Sequence, residues 1–401
     1  MSPRPIPTLL IALGIAACAP AAAPSPAPPA APLPPGEWAR VETVAPGVRH
    51  LFRADSAGPW AVHVVEADPR ACGVDLGTVK AGDRLVGRET TSALARRAER
   101  TLRRPVLAAL NADFFSFTPP GVPVGAQVVA GEVARGPAAR PVFGVTGRGE
   151  PFVETVSLGG KLWLSPGLFA TLGLVNAPPS GDTLSLYNRF AGDSTPADTG
   201  VVELIVRRVD ASRVVGDTVR GVLVGADTSS AGVPIPPDGV VFAARGRAAD
   251  FLRLLAVPGD TLRWTLRFDP APGPVREMIG GHPLLVRAGR EVTDAETGVN
   301  AAFSRTRHPR SAVGWREDGT LLLVAVDGRQ PGYSEGMTLA ELRKLFLDLG
   351  AVEALNLDGG GSTALVVRGA PVNRPSDREG ERPVANALLV LGATRNECSP
   401  N

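Results

Sequence analysis

Two acidic residues, each followed by glycine at the end of an apolar run, are the first candidates for chemistry in this 401-residue chain. Asp327 follows the run Leu321–Val326, and Asp358 follows the run Val352–Leu357. Carboxylates at such positions can act as acids, bases or nucleophiles, and they can also hold hard cations. Asp-Gly pairs are also common in plain hairpin turns, and for Asp327 this alternative stays open.

The segment after Asp358 is rich in groups that could bind an anion. Gly359, Gly360 and Gly361 can direct successive backbone N–H groups at a phosphate, and Ser362 closes the loop. No lysine follows the glycines, so the segment is not a Walker loop, and it is not a G-x-S-x-G elbow. We therefore interpret the loop as a binding element and do not predict a serine nucleophile.

Two further polar clusters border apolar runs. Asn111 and Asp113 directly follow Val106–Leu110, which places them at the expected end of a strand. Arg310, in a His-Pro-Arg segment, could hold a carboxylate or phosphate in a bidentate way. The alternatives are a turn next to core phenylalanines and an ordinary exposed arginine. Zinc-type ligand spacing is absent, so we assign no metal ligands.

The elements that would position these residues are clearest in the last third of the chain. The continuous apolar run Leu321–Val326 predicts a buried strand. Thr338 and Glu341 form a capping box at the start of a helix that ends near Gly350, and Val352–Leu357 predicts a second strand. Strands joined by a helix run parallel, so Asp327 and Asp358 should lie at one sheet edge. Later strands are predicted at Ala364–Val367 and Asn386–Val390.

Short apolar runs between turn residues predict strands through most of the remaining chain. We therefore expect an α+β fold: a mixed, β-rich domain with a C-terminal strand–helix–strand unit that carries the site at its strand ends. Residues 150–270 are expected to be a β-rich insertion or subdomain, with a short helix over Ala248–Ala256.

The N-terminus has the features of an export signal. Arg4 precedes the apolar run Ile6–Ala17, which is too short to span a membrane comfortably. Residues 15–18 resemble a bacterial lipoprotein cleavage site, so residues 1–18 are predicted to be a signal peptide and Cys18 to carry a lipid anchor. The alternative is ordinary cleavage within Ala21–Ala23, which would give a secreted or periplasmic protein without Cys18.

Export has consequences for the residues that follow. Eight prolines between Ala19 and Pro35 predict an extended tether over residues 19–37, before a domain spanning residues 38–398. In an oxidising compartment, Cys72 and Cys398 are a plausible disulfide, the alternative being two free thiols. The 42 basic and 40 acidic residues leave almost no net charge, which argues against a nucleic-acid partner.

Several segments, taken in order, resemble the phosphodiester glycosidase family. They are NADFF (Asn111–Phe115), GGHPLLVRAG (Gly280–Gly289), RHPRSAVGW (Arg307–Trp315), VDGRQPGYSEGMTLAEL (Val326–Leu342), LNLDGGGSTALVV (Leu355–Val367), VNRPSD (Val372–Asp377) and ERPVANALLV (Glu381–Val390). The resemblance implies a hydrolase that cleaves the bond between a sugar's anomeric carbon and a phosphodiester.

The resemblance also implies roles for individual residues. The catalytic candidates are Asp327, Asp358 and Asp113, and the substrate-binding candidates are Asn111, Arg310, Arg329, Gly359, Gly360, Gly361 and Ser362. No cofactor is required, although a divalent cation on Asp327 or Asp358 is an alternative. Two other functions stay open: a non-catalytic lipoprotein that binds envelope glycans, and a glycosidase acting on uncharged polysaccharide.

Overall fold

The computed structural model describes residues 38–55, 58–165, 167–210, 214–229, 231–394 and 398. The predicted signal peptide, tether and Cys18 lie outside these residues. Within them, no helix combines the length and the apolar character that crossing a membrane requires.

The N-terminal part of the described chain is mostly short strands. In chain order its elements are β1 (Arg40–Ala45), β2 (Val48–Asp55), β3 (Trp60–Ala67), β4 (Asp75–Lys80), α1 (Thr91–Leu102), β5 (Val106–Asn111), β6 (Phe115–Phe117), β7 (Pro120–Pro123), β8 (Gln127–Val129), β9 (Glu132–Arg135), β10 (Pro141–Thr146) and β11 (Pro151–Thr155).

The middle part forms a closed barrel. Its elements are β12 (Ser157–Ser165), β13 (Leu168–Val175), β14 (Leu184–Tyr187), β15 (Val201–Arg208), β16 (Thr218–Asp227), β17 (Gly239–Arg245), α2 (Gly246–Leu255) and β18 (Thr261–Asp269). The barrel order is β12-β13-β14-β17-β15-β16-β18, and it closes where β18 pairs antiparallel with β12. The β-rich segment that the sequence predicted here is thus a barrel with its own apolar interior.

The C-terminal part returns to open sheets. Its elements are β19 (Val275–Gly280), β20 (Leu284–Arg287), β21 (Arg290–Glu291), α3 (Asp294–Thr297), α4 (Ala301–Arg305), β22 (Arg310–Arg316), β23 (Leu321–Val326), α5 (Leu339–Asp348), β24 (Ala351–Asn356), β25 (Leu365–Val367), β26 (Ala370–Pro371) and β27 (Asn386–Leu391).

Outside the barrel, the main architecture is two packed sheets with a helix on each outer face. An eight-stranded sheet has the order β1-β2-β3-β23-β22-β24-β20-β21, and a five-stranded sheet has the order β26-β25-β5-β27-β4. One apolar core lies between the sheets, a second joins the larger sheet to α5, and a third joins the smaller sheet to α1. A second five-stranded sheet, β11-β10-β19-β8-β9, and the hairpin β6-β7 complete the fold.

Strand β23 shows why a continuous apolar run was needed. Alternate side chains of a strand point to opposite faces. Leu321, Leu323 and Ala325 enter the core between the sheets, whereas Leu322 and Val324 enter the core under α5. Both faces are buried, so no position on the strand is left for a polar residue.

Strands β23 and β24 run in the same direction, as predicted, with one strand between them. Strand β22 lies between them and pairs antiparallel with both, so β23 and β24 are parallel but do not touch. Their carboxyl ends therefore share one sheet edge. Helix α5 begins with the predicted capping box, in which the Thr338 side chain accepts from the Glu341 N–H.

A disulfide ties the C-terminal tail to the N-terminal part of the domain. Cys72 and Cys398 are bonded, with 5.8 Å between their Cα atoms, across 326 residues of sequence. The pair predicted from the oxidising compartment is thus present in the structure.

Candidate active site

The site begins where β5 and β24 end side by side. The backbone N–H of Asp358 donates to Ala112 O at 2.8 Å, and the Asn111 side-chain amide donates to Asp358 O at 2.7 Å. The Asn111 oxygen accepts from the Ser311 hydroxyl at 2.6 Å and from the Ala364 N–H at 3.1 Å. Asn111 is fully buried and its side chain is hydrogen-bonded within the protein, an arrangement that fits positioning of Asp358, and its predicted contact with substrate stays a prediction.

Asp358 has the environment of a reactive carboxylate. It is partly exposed at the end of its strand. The nearby Ser362 hydroxyl, the Arg382 guanidinium and the Gly359 N–H all favour its ionised form. Burial outweighs them and raises the pKa of Asp358 to about 6. The carboxylate is therefore ionised at neutral pH but is more basic than an ordinary aspartate.

Asp113 lies beside Asp358 and is buried more deeply. Its Oδ2 accepts from the Gly125 N–H at 2.7 Å, and its Oδ1 is buried with no hydrogen-bond donor in the described part of the chain. Burial, and to a lesser degree the charge on Asp358, raise the pKa of Asp113 to about 7. A Cβ at Gly280 would stand 2.5 Å from Asp113 Oδ2, so only glycine fits there.

These two carboxyl groups form an asymmetric pair. Like charges in one site oppose each other, and the more deeply buried group keeps its proton longer. Asp358 ionises first, whereas Asp113 still holds a proton near neutral pH. Paired groups whose pKa values are pushed apart are suited to acid and base roles.

Asp327 reaches the same sheet edge, but its carboxylate is already occupied. Its Oδ1 accepts from the Asn373 amide at 3.0 Å and from the Arg374 N–H at 2.9 Å, and its Oδ2 accepts from the Tyr333 hydroxyl at 3.0 Å. The side chain is completely buried. The Asn373 amide also donates to Thr363 O at 3.2 Å. The geometry thus fits a residue that fixes the glycine loop, and the reacting role of Asp327 stays a prediction from the sequence.

The two predicted arginines have very different positions. Arg310 is 1% exposed, and its guanidinium donates to Met337 O at 2.8 Å and to Phe303 O and Thr306 O at 3.0 Å. Arg310 therefore satisfies backbone carbonyl oxygens in and near α4, and its guanidinium is not free for a bidentate phosphate contact. Burial, together with the Arg329 charge, lowers the pKa of Arg310 to about 10.

Arg329, in contrast, is exposed and lies over the glycine loop. A Cβ at Gly360 would stand 2.9 Å from Arg329 Nη2, and the same nitrogen lies 3.2 Å from His308 Nδ1. The Arg329 backbone has a φ of 60°, which turns the chain sharply after Asp327-Gly328. This guanidinium is placed to meet an anion above the loop.

The glycine loop is not the open nest of N–H groups that was expected. The Gly360 N–H donates to Pro309 O at 2.8 Å, and the Ser362 N–H donates to Gly359 O at 3.2 Å. A Cβ at Gly361 would stand 2.2 Å from both Arg382 Nη2 and Asp377 Oδ1. Gly360 and Gly361 therefore admit arginine side chains close to the backbone, whereas Gly359 packs against the Pro309 carbonyl. The positive charge at the site comes from those arginines.

Sequence reasoning missed several residues at this edge. Arg140 lies close enough to favour ionisation of Asp113, and with burial it lowers the pKa of His282. Arg382 is held by Asp377 through bonds of 2.8 and 3.1 Å. His282 and Arg382 belong to segments that carried the family resemblance, but nothing in the local pattern around Arg140 marks it.

The described residues contain no group of three or more His, Cys, Asp or Glu side chains arranged to hold a metal ion. The positive charges that this part of the chain brings to the site are Arg140, Arg329 and Arg382.

The C-terminal part of the chain is similar to known proteins. Residues 209–391 match the family model described as phosphodiester glycosidase. The chain is 44% identical over 84 residues to the SPbeta prophage-derived uncharacterized protein YomE of Bacillus subtilis, covering 21% of this chain and 13% of that protein. It is 37% identical over 119 residues to N-acetylglucosamine-1-phosphodiester alpha-N-acetylglucosaminidase of Mus musculus, covering 27% of this chain and 22% of the mouse protein.

Solved structures extend the similarity over most of the chain. A Synechocystis protein aligns with a TM-score of 0.65 at 26% identity, covering 86% of this chain and 62% of that one. A Burkholderia pseudomallei protein aligns with a TM-score of 0.62 at 26% identity, covering 85% and 75% of the two chains. The chain spans less than a quarter of the length of the Bacillus subtilis and Mus musculus proteins that it matches. Through residues 209–391, the chain is similar to the phosphodiester glycosidase family.

Proposed function

We propose that this protein hydrolyses glycosyl phosphodiesters, cleaving the bond between a sugar's anomeric carbon and a phosphodiester oxygen. The observation that carries the proposal is the carboxyl pair Asp113–Asp358, which lies where β5 of one sheet and β24 of the other sheet end, with the exposed Arg329 over the adjoining Gly360. The similarity of residues 209–391 to the phosphodiester glycosidase family supports the same reaction class.

The proposed reaction divides the two carboxyl groups by role. Asp358, ionised and partly exposed, faces the anomeric carbon and takes a proton from the attacking water, or attacks the carbon itself. Asp113, still protonated near neutral pH, donates its proton to the leaving oxygen. The bond from carbon to the phosphate oxygen breaks, and the products are a free sugar and a phosphate monoester.

The phosphate group of the proposed substrate explains why arginine side chains lie at the site. A phosphate monoester is a much weaker base than a sugar alkoxide, so departure depends more on stabilising negative charge than on strong acid help. Arg329 above Gly360, and Arg382 beside Gly361, supply that charge near Asp358. A guanidinium is also the side chain that suits the geometry of phosphate oxygens.

We further propose that the protein is exported and anchored to the bacterial envelope by a lipid on Cys18. The apolar leader and the proline-rich tether support export, and so does the disulfide, since such bonds persist in oxidising compartments. Labelling of cells with radioactive palmitate tests the anchor. Wild type should take up label and Cys18→Ser should not. A labelled Cys18→Ser variant, or an unlabelled wild type, would exclude it.

The reaction is tested by measuring free sugar released from a sugar-1-phosphodiester. We expect turnover by wild type and by the exposed control Asp250→Asn, and a large loss in Asp358→Asn. Undiminished turnover in Asp358→Asn would remove that residue from the mechanism.

Substrate comparison separates the other two functions. Binding of envelope glycan without turnover on any phosphodiester would favour a non-catalytic surface module. Equal turnover on the phosphodiester and on its phosphate-free glycoside would favour an ordinary glycosidase.

A further inference from the structure

An aromatic and basic surface on the barrel, far along the chain from the carboxyl pair, has no part in the reaction above. Trp163 on β12 and Phe169 on β13 pack at 6.3 Å between ring centroids, and Lys161 Nζ lies 4.2 Å from the centre of the Phe169 ring. Phe169 is 42% exposed and its neighbour Leu168 is 44% exposed. Large apolar side chains exposed together on a sheet mark a contact surface more often than single ones do.

The neighbouring strand adds positive charge to the same face. Strand β18 pairs with β12 so that Arg263 lies opposite Trp163, and Arg267 lies opposite Gly159. Since side chains alternate along strands, Lys161, Arg263 and Arg267 share the outer face of the barrel, and all three are exposed. In the segments that the structure describes, none of the three has a carboxylate partner.

A cation on the next strand of the barrel is paired, since Arg220 is held by Asp210 at 2.9 Å. Lys161, Arg263 and Arg267 differ because nearby acidic residues do not neutralise them. Their charge is therefore available to an anionic ligand, subject to screening by salt.

The surface is concave as well as charged. A groove of about 390 Å³ is lined by Gly159, Gly160, Lys161, Trp163, Thr218, Thr265 and Arg267. A Cβ at Gly159 would meet no atom within 4 Å, so this glycine leaves open space at the floor of the groove. An indole wall suits the apolar face of a sugar ring, and the adjoining cations suit phosphate oxygens.

We propose that this barrel groove binds an anionic glycan whose repeating sugars are joined by phosphodiesters. The proposal rests on the proposed function, because it identifies the substrate of the carboxyl pair as a polymer and the barrel as its second binding site. The chemistry of the groove selects this ligand: one ring-stacking wall and unpaired cations are what a chain alternating sugars and phosphates requires.

The path of the chain connects this groove to the carboxyl pair. Strand β12 runs from Trp163 back to Ser157, about 20 Å at the rise of a strand. There it borders a second groove of about 670 Å³, whose other wall is the segment 135–139. Arg140 follows directly and faces Asp113. A polymer of several repeats is long enough to occupy the barrel groove and the reaction site together.

Binding is measured with a purified poly(hexose 1-phosphate) in the Asp358→Asn background, so that turnover does not consume the ligand. Charge reversal of Lys161, Arg263 and Arg267 to Glu should weaken binding about tenfold or more at low salt. The matched control reverses three exposed cations elsewhere that, like the test residues, have no ion pair with a described carboxylate, Arg96, Arg100 and Arg148, and should bind as the background does.

A second variant guards against misfolding caused by charge reversal. Gly159→Leu fills the groove without a backbone clash and without a change of charge, and it should also weaken binding. In the active enzyme, Gly159→Leu should raise KM for the polymer, leaving kcat and the kinetics of a short sugar-1-phosphodiester unchanged. A merely structural effect would lower activity on both substrates.

Several results would overturn the proposal. They are unchanged polymer affinity in both groove variants, equal losses for uncharged dextran, and tighter binding of an oligonucleotide of equal charge, which would make the groove a nucleic-acid surface. Failure of the proposed function has a different signature: no turnover of the short phosphodiester by wild type, whatever the groove variants bind.

Discussion

Asp327 and Asp358 come from nearly identical sequence settings, and their substitution by asparagine should have opposite effects. Asp327 is fully buried and accepts hydrogen bonds from Asn373, Arg374 N and the Tyr333 hydroxyl. In Asp327→Asn the oxygen can retain two of these bonds. The new NH2 group then faces the Arg374 N–H, which lies 3.1 Å from Oδ2 in wild type.

The size of the effect follows from the contacts. Hydrogen bonds to a charged group contribute roughly 1 kcal/mol more than neutral ones, so loss of the charge across three donors should lower the free energy of unfolding by about 2–3 kcal/mol. Tyr333→Phe removes one of the three bonds and should cost only about 1 kcal/mol. Asp358→Asn removes a charge that burial already disfavours, and its stability should equal or exceed that of wild type.

The assay pairs urea unfolding with turnover of a sugar-1-phosphodiester. Asp358→Asn should fold normally and lose activity by roughly 10²–10⁴-fold, the range for a group that transfers a proton. Asp327→Asn should be destabilised but should keep activity within about tenfold of wild type below its unfolding temperature. An Asp327→Asn protein as stable as wild type yet as inactive as Asp358→Asn would refute the positioning role and restore Asp327 as a reacting group.

Five further outcomes are expected. In a pH–rate series, the kcat/KM of wild type should rise as Asp358 ionises near pH 6 and fall as Asp113 ionises near pH 7. The decrease on the alkaline side should be absent in Asp113→Asn. Because the folded-state pKa of Asp113 lies above its unfolded value of 3.8, the contribution of Asp113 to stability should fall as pH rises from about 4 to about 7. The free energy of unfolding of Asp113→Asn, measured relative to wild type at pH 5 and at pH 8, should therefore be larger at pH 8. Arg329→Gln should raise KM for the phosphodiester roughly tenfold and leave cleavage of any phosphate-free glycoside unchanged; an equal effect on both would contradict phosphate binding. Removing the disulfide with Cys72→Ser should lower the free energy of unfolding by about 2–4 kcal/mol without loss of activity below the unfolding temperature, whereas an unchanged urea midpoint would show that the bond contributes nothing. Since arginines supply the positive charge, activity should survive EDTA; loss restored by a divalent cation would favour a metal on the carboxylates.

Local sequence patterns predicted secondary structure correctly where interactions between nearby residues, or burial of a whole strand, determine it. The apolar run Leu321–Val326 predicted a strand because both of its faces are buried. Thr338 and Glu341 predicted the start of α5 because a capping box is completed within four residues. The helix Thr91–Leu102 was missed, although Thr90 caps it by accepting from the Ala93 N–H. Its buried face is mostly alanine and short polar residues, which weakens the apolar periodicity.

The barrel could not be predicted from local pattern. Each of its strands is short and ordinary, and closure depends on pairing of β12 with β18, in which Ser157 meets Asp269 across 112 residues. The position of β22 between β23 and β24 could not be predicted either, because several strands have equally apolar faces and could have paired there. Sheet order is decided by which strands pack best over the whole domain, and a single strand does not carry that information.

By itself, the sequence determined the β-rich α+β character, the strand ends at which Asp327 and Asp358 lie, and the similarity of residues 209–391 to phosphodiester glycosidases. Only the tertiary structure decided which carboxylates are free to react. Asp327 is occupied by donors up to 47 residues away, whereas Asp358 is placed beside Asp113, which is distant in sequence. The physical reason is that the sequence specifies the positions at which carboxylates occur, whereas the hydrogen-bond partners and the pKa of each carboxylate depend on groups that only folding brings close to it.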